Sequence, residues 1–436
     1  MTSSRRSRRS GCGLVGRLQN RDIPSVTVFL SAMTRLRGTH FSRAARLALA
    51  ALAVGAAAWP ASAQARSRPA TRHAAVHHRA TIRHATKKPL TGTAAQAAIN
   101  QSHALAAYAA MQAAYYDPTT GLYPSADAWP YGQAMAATIS VAALPGLHAR
   151  YAPDLIARLS GLQAYADHID PAPAGYVSTL DAPASGGTRF NDDNEWIGIE
   201  LIRLYHLDHQ PALLSAANGL LTMVTNQWDN TPNIKCPGGV PWQNIALNGD
   251  RNTVSNATGA ELGAQLYLTT HNATDLQWAE AMYNWVRGCL LNNDGLYGDH
   301  TNGTGQIDPT EWTYNQGTMI GAGVMLYQAT HNSGYLAQAE ATAIKALATY
   351  TPEDLAVQGV GFDAIYTRNL LLLGSVSGDP RYVKFAQWFA NDEWYNVRDA
   401  TSGLFLAGPA GQTQLLDQAA MVQVYALLAE PPSAYF

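Results

Sequence analysis

The sequence predicts an all-α protein, a closed (α/α)6 toroid of six helical hairpins. Three observations carry this. Apolar residues recur at helical spacing through most of residues 95–430, as in Ala106, Ala107, Ala110, Met111 and Ala114, or Ile199, Ile202, Leu204 and Tyr205. Few stretches alternate with a period of two, and β-branched residues are sparse. A hairpin-sized unit then repeats, and a hairpin cannot bury its apolar face alone, so several must stack.

Taken in order, residues 1–65 form a leader that holds an export signal over 33–65. Arg35, Arg37, Arg43 and Arg46 precede the apolar run Leu47–Ala58, and Ala61-Ser62-Ala63 and Ala63-Gln64-Ala65 are small-residue cleavage sites. Met33 suits the start of that signal. The run is short of the roughly 20 residues that span a bilayer, although an uncleaved membrane anchor is the competing reading. Residues 66–94 are rich in Arg, His, Ala and Thr without an apolar period, which predicts a basic, disordered linker.

Residues 95–436 form the folded body, and no Pro/Gly/Ser linker divides them. Leu204-Tyr205 leads into His209-Gln210-Pro211, Leu266-Tyr267 into His271-Asn272, Leu326-Tyr327 into His331-Asn332, and Leu372-Leu373 into Gly378-Asp379-Pro380. Each is a helix, a tight polar turn and a second helix. The intervals from Leu204 to Leu266, Leu326 and Leu372 are 62, 60 and 46 residues, which gives about six hairpins over the body. An open solenoid favours shorter units of about 34–47 residues with short loops. Here the loops at 228–256 and 292–316 are long and rich in Trp, Asn, Asp and Gly, which favours a closed toroid with a cleft at one end.

Charge narrows the partners. The net charge of −2 hides a split: residues 1–90 hold 17 basic residues and one acid, leaving 12 basic against 30 acidic residues, or −18, in the remainder. An acidic body disfavours nucleic acid and anionic membrane surfaces. Of Cys12, Cys236 and Cys289, the first lies in the leader, and the other two are able to pair as one disulfide in an exported chain. No Cys/His spacing resembles a zinc site, and no metal or cofactor is expected.

The chemistry concentrates in Phe190-Asn191-Asp192-Asp193-Asn194-Glu195-Trp196. Glycosidic cleavage needs two carboxyl groups. Adjacent residues in a regular helix point roughly 100° apart, so Asp192 and Asp193 share a substrate only at a helix entrance. Gly186-Gly187-Thr188 before them reads as loop, and Trp196-Ile197 begins the helical pattern. The plainer reading is capping: Asn191 or Asp192 caps the helix, and the acids offset its dipole by about 0.3–1 kcal/mol. A calcium site lacks EF-hand spacing. Two further clusters open the next inner helices: Trp242 with Asn252, Ser255 and Asn256, then Trp312, Tyr314, Asn315 and Gln316. Rings offer stacking surfaces for sugars and amides bind hydroxyl pairs, though core packing or capping explains any one of them alone.

With these residues in place, the chain resembles glycoside hydrolase family 76, the endo-α-1,6-mannanase family. The resemblance rests on the Asp-Asp pair before Asn194-Glu195-Trp196, on Gly238-Gly239-x-x-Trp242, on Asn252-x-x-Ser255-Asn256 and on Trp312-Thr313-Tyr314-Asn315-Gln316-Gly317. Trp129-Pro130-Tyr131-Gly132-Gln133 and Arg368-Asn369-Leu370 also match. It implies an (α/α)6 fold and retaining cleavage of α-1,6-mannan, with Asp192 as nucleophile and Asp193 as general acid/base. Trp129, Asn191, Trp196, Trp242, Asn252, Ser255, Asn256, Trp312, Tyr314, Asn315, Gln316 and Arg368 are the expected sugar-binding residues. The expected protein is a secreted or periplasmic monomer acting on a mannan-like polysaccharide. A transglycosylase using the same acids, and a glycan-binding toroid without catalysis, are the alternatives.

Overall fold

Helices that are apolar around their whole circumference must be buried on every side. The computed structural model, which describes residues 93–168, 175–180, 187–244, 249–407 and 411–435, places such helices at the centre. The predicted leader, the linker up to residue 92, Cys12 and Gly186 lie outside the described residues. The helices are α1 (Thr93–Tyr115), α2 (Ala128–Ala143), α3 (His148–Leu162), α4 (Asn191–Asp208), α5 (Pro211–Thr225), α6 (Thr253–Thr270) and α7 (Ala273–Cys289). They continue with α8 (Thr313–Thr330), α9 (Ser333–Thr349), the short α10 (Pro352–Gln358), α11 (Val360–Ser377), α12 (Pro380–Asp392) and α13 (Leu415–Ala429).

The inner helices close a ring. α2 packs on α4, α4 on α6, α6 on α8, α8 on α11, α11 on α13, and α13 returns to α2. α3, α5, α7, α9 and α12 each lie outside the inner helix that precedes them. The sixth pair is not a sequential hairpin: α1 packs against α13, so the two ends of the folded chain complete the toroid together. Asn100 on α1 donates to the Leu428 carbonyl on α13 at 3.2 Å, which fixes that closure.

The turns explain the sequence repeat. His209, His271 and His331 sit in the left-handed region at φ 53°, 58° and 57°, as does Gly378 at 71°. Each donates its N–H to the carbonyl four residues back, to Tyr205, Tyr267, Tyr327 and Gly374. His tolerates this conformation better than most side chains. Asn272, Asn332 and Asp379 then cap α7, α9 and α12 through their side chains.

Close packing accounts for one glycine of the Trp-Thr-Tyr-Asn-Gln-Gly run. A Cβ on Gly317 would lie 2.7 Å from the Tyr366 Cα, so α8 and α11 approach backbone to backbone there. The long loops pair through a small antiparallel sheet ordered β1 (Arg251–Asn252), β2 (His300–Thr301), β3 (Ile307–Asp308). Cys236 and Cys289 are both free thiols. Among the described residues no helix is long and apolar enough to cross a membrane.

Candidate active site

Phe190 occupies the N-cap of α4 and makes no side-chain cap, so the expected capping by Asn191 or Asp192 is corrected. The reason is a different anchor. The Asn191 N–H donates to the Trp242 carbonyl at 2.8 Å, and Asn191 Nδ2 donates to the Pro241 carbonyl at 2.8 Å. Gln227 Nε2 donates to Asn191 Oδ1 at 2.8 Å. The helix start is thereby stitched to the Pro241-Trp242 loop, and the next two residues, Asp192 and Asp193, stand in the first turn. Both line one cleft of about 520 Å³. Its walls come from the first turns of several inner helices: Trp129 on α2, Tyr314 on α8, Phe362 on α11 and Leu415 on α13. Those helix ends point partial positive charge toward the mouth of the ring and offset part of the cost of burying carboxylates.

Burial and charge separate the two acids. Desolvation pushes Asp192 up to about 7, while its own backbone N–H, the Trp242 indole and the Asp193 N–H pull it back. Desolvation raises Asp193 well above the carboxylate range, and the charges of Asp192 and Asp127 add to that. The pair therefore loses its protons in two steps, and the proton is held more firmly at Asp193. Behind them Glu195 is fully buried and also held well above its usual range by desolvation, then by Asp192 and Glu261.

Aromatic surfaces flank the acids. Tyr314 stacks on Phe362 with ring centres 4.0 Å apart and planes 4° from parallel. Trp129 and Trp312 pack around the same Phe362 at 5.8 and 5.6 Å. On another wall Trp242, 42% exposed, leans on Phe190 with centres 4.6 Å apart.

Of the expected sugar-binding residues, the structure brings Trp129, Trp242 and Tyr314 to the cleft with the acid pair. It places the amides in the wall instead. Asn256 accepts the Val240 N–H at 2.9 Å and donates to the carbonyls of Val240 and Asn252 at 3.0 and 2.8 Å. Gln316 does the same with Tyr297, accepting at 2.9 Å and donating at 2.9 Å, and also donates to the Trp312 carbonyl. Asn194 treats Tyr176 and Phe190 likewise, and Gln418 accepts from Phe405. In all four repeats one amide pins the preceding loop to the start of an inner helix.

The rest divide similarly. Asn315 donates to Asp299 Oδ1 at 3.2 Å, and Asn252 and Trp312 are the N-cap residues of α6 and α8. Ser255 is buried in the first turn of α6. Trp196 and Arg368 lie together between inner helices, lining a small separate cavity with Gln133 and Gln423. There Arg368 pairs with Glu200 at 3.1 Å, and Arg203 reaches the same carboxylate at 2.7 Å.

Sequence reasoning passed over three residues that matter to the site. Phe362 opens α11, the next inner helix of the repeat, so its position was the available signal. Asp127, the N-cap of α2, bears on Asp193, and Asp299 bears on Asp192. Neither sits in a motif.

A helical ring whose cleft presents two carboxyl groups between aromatic walls has the arrangement that glycosidic cleavage requires. Residues 93–390 match the sequence profile described as glycosyl hydrolase family 76, and the chain belongs to that family. Among characterised relatives, the mannan endo-1,6-alpha-mannosidase DCW1 of Saccharomyces cerevisiae is 29% identical over 158 residues. The mannan endo-1,6-alpha-mannosidase DFG5 of the same yeast is 34% identical over 138 residues. The DCW1 match covers 33% of this chain and 34% of the yeast protein, and the DFG5 match 29% of each, so each spans about a third of the relative. A family 76 glycoside hydrolase from a bovine Bacteroides thetaiotaomicron strain shares the fold, with a TM-score of 0.68 and 24% identity over 76% of this chain and 77% of that one. So does an inactive variant of the α-1,6-mannanase GH76A of Salegentibacter sp. HEL1_6 in complex with α-1,6-mannotriose, at a TM-score of 0.64 and 22% identity over 76% and 99% of the two chains.

Proposed function

We propose that this protein is an exported glycoside hydrolase that cleaves α-1,6-linked mannan with retention of anomeric configuration. The carrying observation is the adjacent pair Asp192 and Asp193, both lining one aromatic-walled cleft with the proton held more firmly at Asp193. Asp192, ionised, attacks the anomeric carbon. Asp193 gives its proton to the departing glycosidic oxygen, and the C–O bond to the leaving sugar breaks. A glycosyl ester to Asp192 results. Water then attacks the same carbon, Asp193 takes its proton, and Asp192 leaves as carboxylate.

Retention is what the family resemblance implies. The charge on Asp192 is the largest charge acting on Asp193, which fits two acids that share one site. An inverting pair stands about 6.5–9.5 Å apart to admit a water. Trp242 on one wall and Tyr314 with Trp129 on another offer faces to sugar rings on either side of the cut bond. The substrate assignment is supported by the yeast relatives named for endo-1,6-alpha-mannosidase activity and by a mannanase of the same fold that is inactive with two consecutive aspartates replaced. Export is supported by the Arg-led apolar run before Ala61-Ser62-Ala63.

The test is incubation of α-1,6-mannan with the wild type and with the Asp192→Asn and Asp193→Asn variants, reading released oligosaccharides. The wild type yields short mannooligosaccharides, and each variant loses at least about 10²-fold in rate. Undiminished cleavage by either variant would exclude the assigned roles. Cleavage of an α-1,2- or α-1,3-linked mannan in preference would exclude the assigned linkage.

A further inference from the structure

The loop that carries the cleft's Trp242 has a second feature beside it. Cys236 lies in that loop in the left-handed region, at φ 51°. Its carbonyl accepts the Trp285 indole N–H at 3.2 Å, and Arg251 Nη1 also donates to it. Arg251 is 1% exposed and further holds the Gly238 and Lys235 carbonyls at 2.7 and 2.9 Å, so the backbone around Cys236 is fixed on three sides. Cys289 ends α7 one helical turn after Trp285, on the same face of that helix. After burial, the Cys236 thiol is the group that acts most on the Cys289 thiol, so the two side chains are neighbours, and each is half-buried.

We infer that Cys236 and Cys289 are a disulfide site, whose bond staples the Trp242-bearing loop to the end of α7. Nothing in the hydrolase reading requires this, and it stands or falls separately. The backbone that carries Cys236 is held against Trp285 and Arg251 by hydrogen bonds that do not involve the sulfurs. The bond would close a loop of 54 residues between two elements of the cleft wall, and loops of that length gain from cross-linking chiefly by restricting the unfolded chain.

The oxidant is a small-molecule disulfide, such as glutathione disulfide. The Cys236 thiolate attacks one of its sulfurs and expels a glutathione thiolate. Cys289 then gives its proton to solvent, attacks Cys236 Sγ and expels the second glutathione thiolate. Two protein thiols are oxidised and one external disulfide is reduced to two thiols. Burial, with the Cys236 thiol beside it, pushes the Cys289 thiol up to about 12. Its thiolate is therefore scarce at neutral pH, and the closing step runs faster as pH rises.

The experiment uses the full chain, equilibrated with glutathione disulfide or with dithiothreitol, then unfolded, alkylated and digested. Under the disulfide we expect a Cys236–Cys289 linked peptide two hydrogens lighter than the separate peptides. We also expect a Tm about 5 °C above that of the reduced protein, reversed by dithiothreitol. Closure is expected to quicken about tenfold per pH unit between 7 and 9. The Cys289→Ser variant should show no redox-dependent Tm. Overturning results are two alkylated thiols after oxidation, a glutathione adduct on Cys236 that never resolves, a link to Cys12, or a Tm shift that persists in Cys289→Ser.

Discussion

At the residue scale, Asp193 is where burial and a neighbouring charge act in the same direction, while at Asp192 backbone N–H groups and an indole oppose burial. That asymmetry assigns the proton, and it predicts a pH profile. In the wild type kcat/KM rises with pH through the first ionisation of the pair near 7 and falls through a second, more alkaline one. Asp193→Asn should lower kcat/KM on mannan by about 10²–10⁴-fold and abolish the alkaline limb. An aryl mannoside whose leaving group needs no proton should recover much of the loss. An alkaline limb unchanged in the variant would remove Asp193 from the acid role. Trp242→Ala strips an exposed platform together with the indole that helps keep Asp192 ionised, so KM should rise about tenfold and the acid limb of kcat/KM should move to higher pH, as read from initial rates across pH. The acid pair and three of the aromatic walls were legible in the sequence because the pair stands at a helix entrance and the aromatics stand at or before the starts of inner helices of the repeat. Sequence reasoning took Asn256 and Gln316 for sugar binders, and the structure gives their side chains to the Val240 and Tyr297 backbone. An amide that binds a sugar hydroxyl and one that binds a loop carbonyl look identical in sequence, and only the burial of Asn256 and Gln316 tells them apart.

Those amides belong to the scale of elements. Each sits in the first turns of an inner helix and completes a backbone pair with one residue of the loop before it, so helix and loop move as a unit. Trp242 and its loop are held by two such attachments, Asn191 to Pro241 and Asn256 to Val240. Asn256→Ala leaves the buried Val240 N–H and C=O without those partners, which costs about 1–3 kcal/mol. Chemical denaturation should read that loss, and the variant's KM should rise as Trp242 loses its support. A variant as stable as the wild type with unchanged KM would mean the loop is held elsewhere. The hairpin turns were legible because Leu-Tyr repeats with a His four residues after the Tyr, at His209, His271 and His331. The left-handed conformation at His209, His271 and His331 was not, since Gly is the usual residue there.

For the whole molecule, the ring buries more acids than the site uses. Desolvation pushes Asp417 up to about 6, Glu430 to about 7, and Glu261, Asp363 and Glu393 each to about 8. In the unfolded chain these groups ionise near pH 4. Between about 4 and 8 the folded state therefore binds more protons, and stability falls as pH rises. His103, lowered to about 4, and His206, also lowered, act the other way but are two against five. The Tm should be about 5 °C higher at pH 5 than at pH 8, and Glu261→Gln should reduce that slope. A Tm that climbs from pH 5 to 8 would contradict the placement of these protons.

The count of six helix pairs was readable from repeat length and loop character. The manner of closure was not, because α1 meets α13 through contacts such as Gln418 Nε2 on the Ala107 carbonyl, 311 residues apart in sequence. No local periodicity records a partner that distant. The central claim remains the division of labour between Asp192 and Asp193 in that ring's cleft, and the stereochemistry of cleavage tests it most directly. A proton NMR time course of α-1,6-mannan hydrolysis should show the α-anomer of the new reducing end first, with the β-anomer growing only as mutarotation proceeds. Initial appearance of the β-anomer would mean inversion through a bound water, and Asp192 would not be the nucleophile.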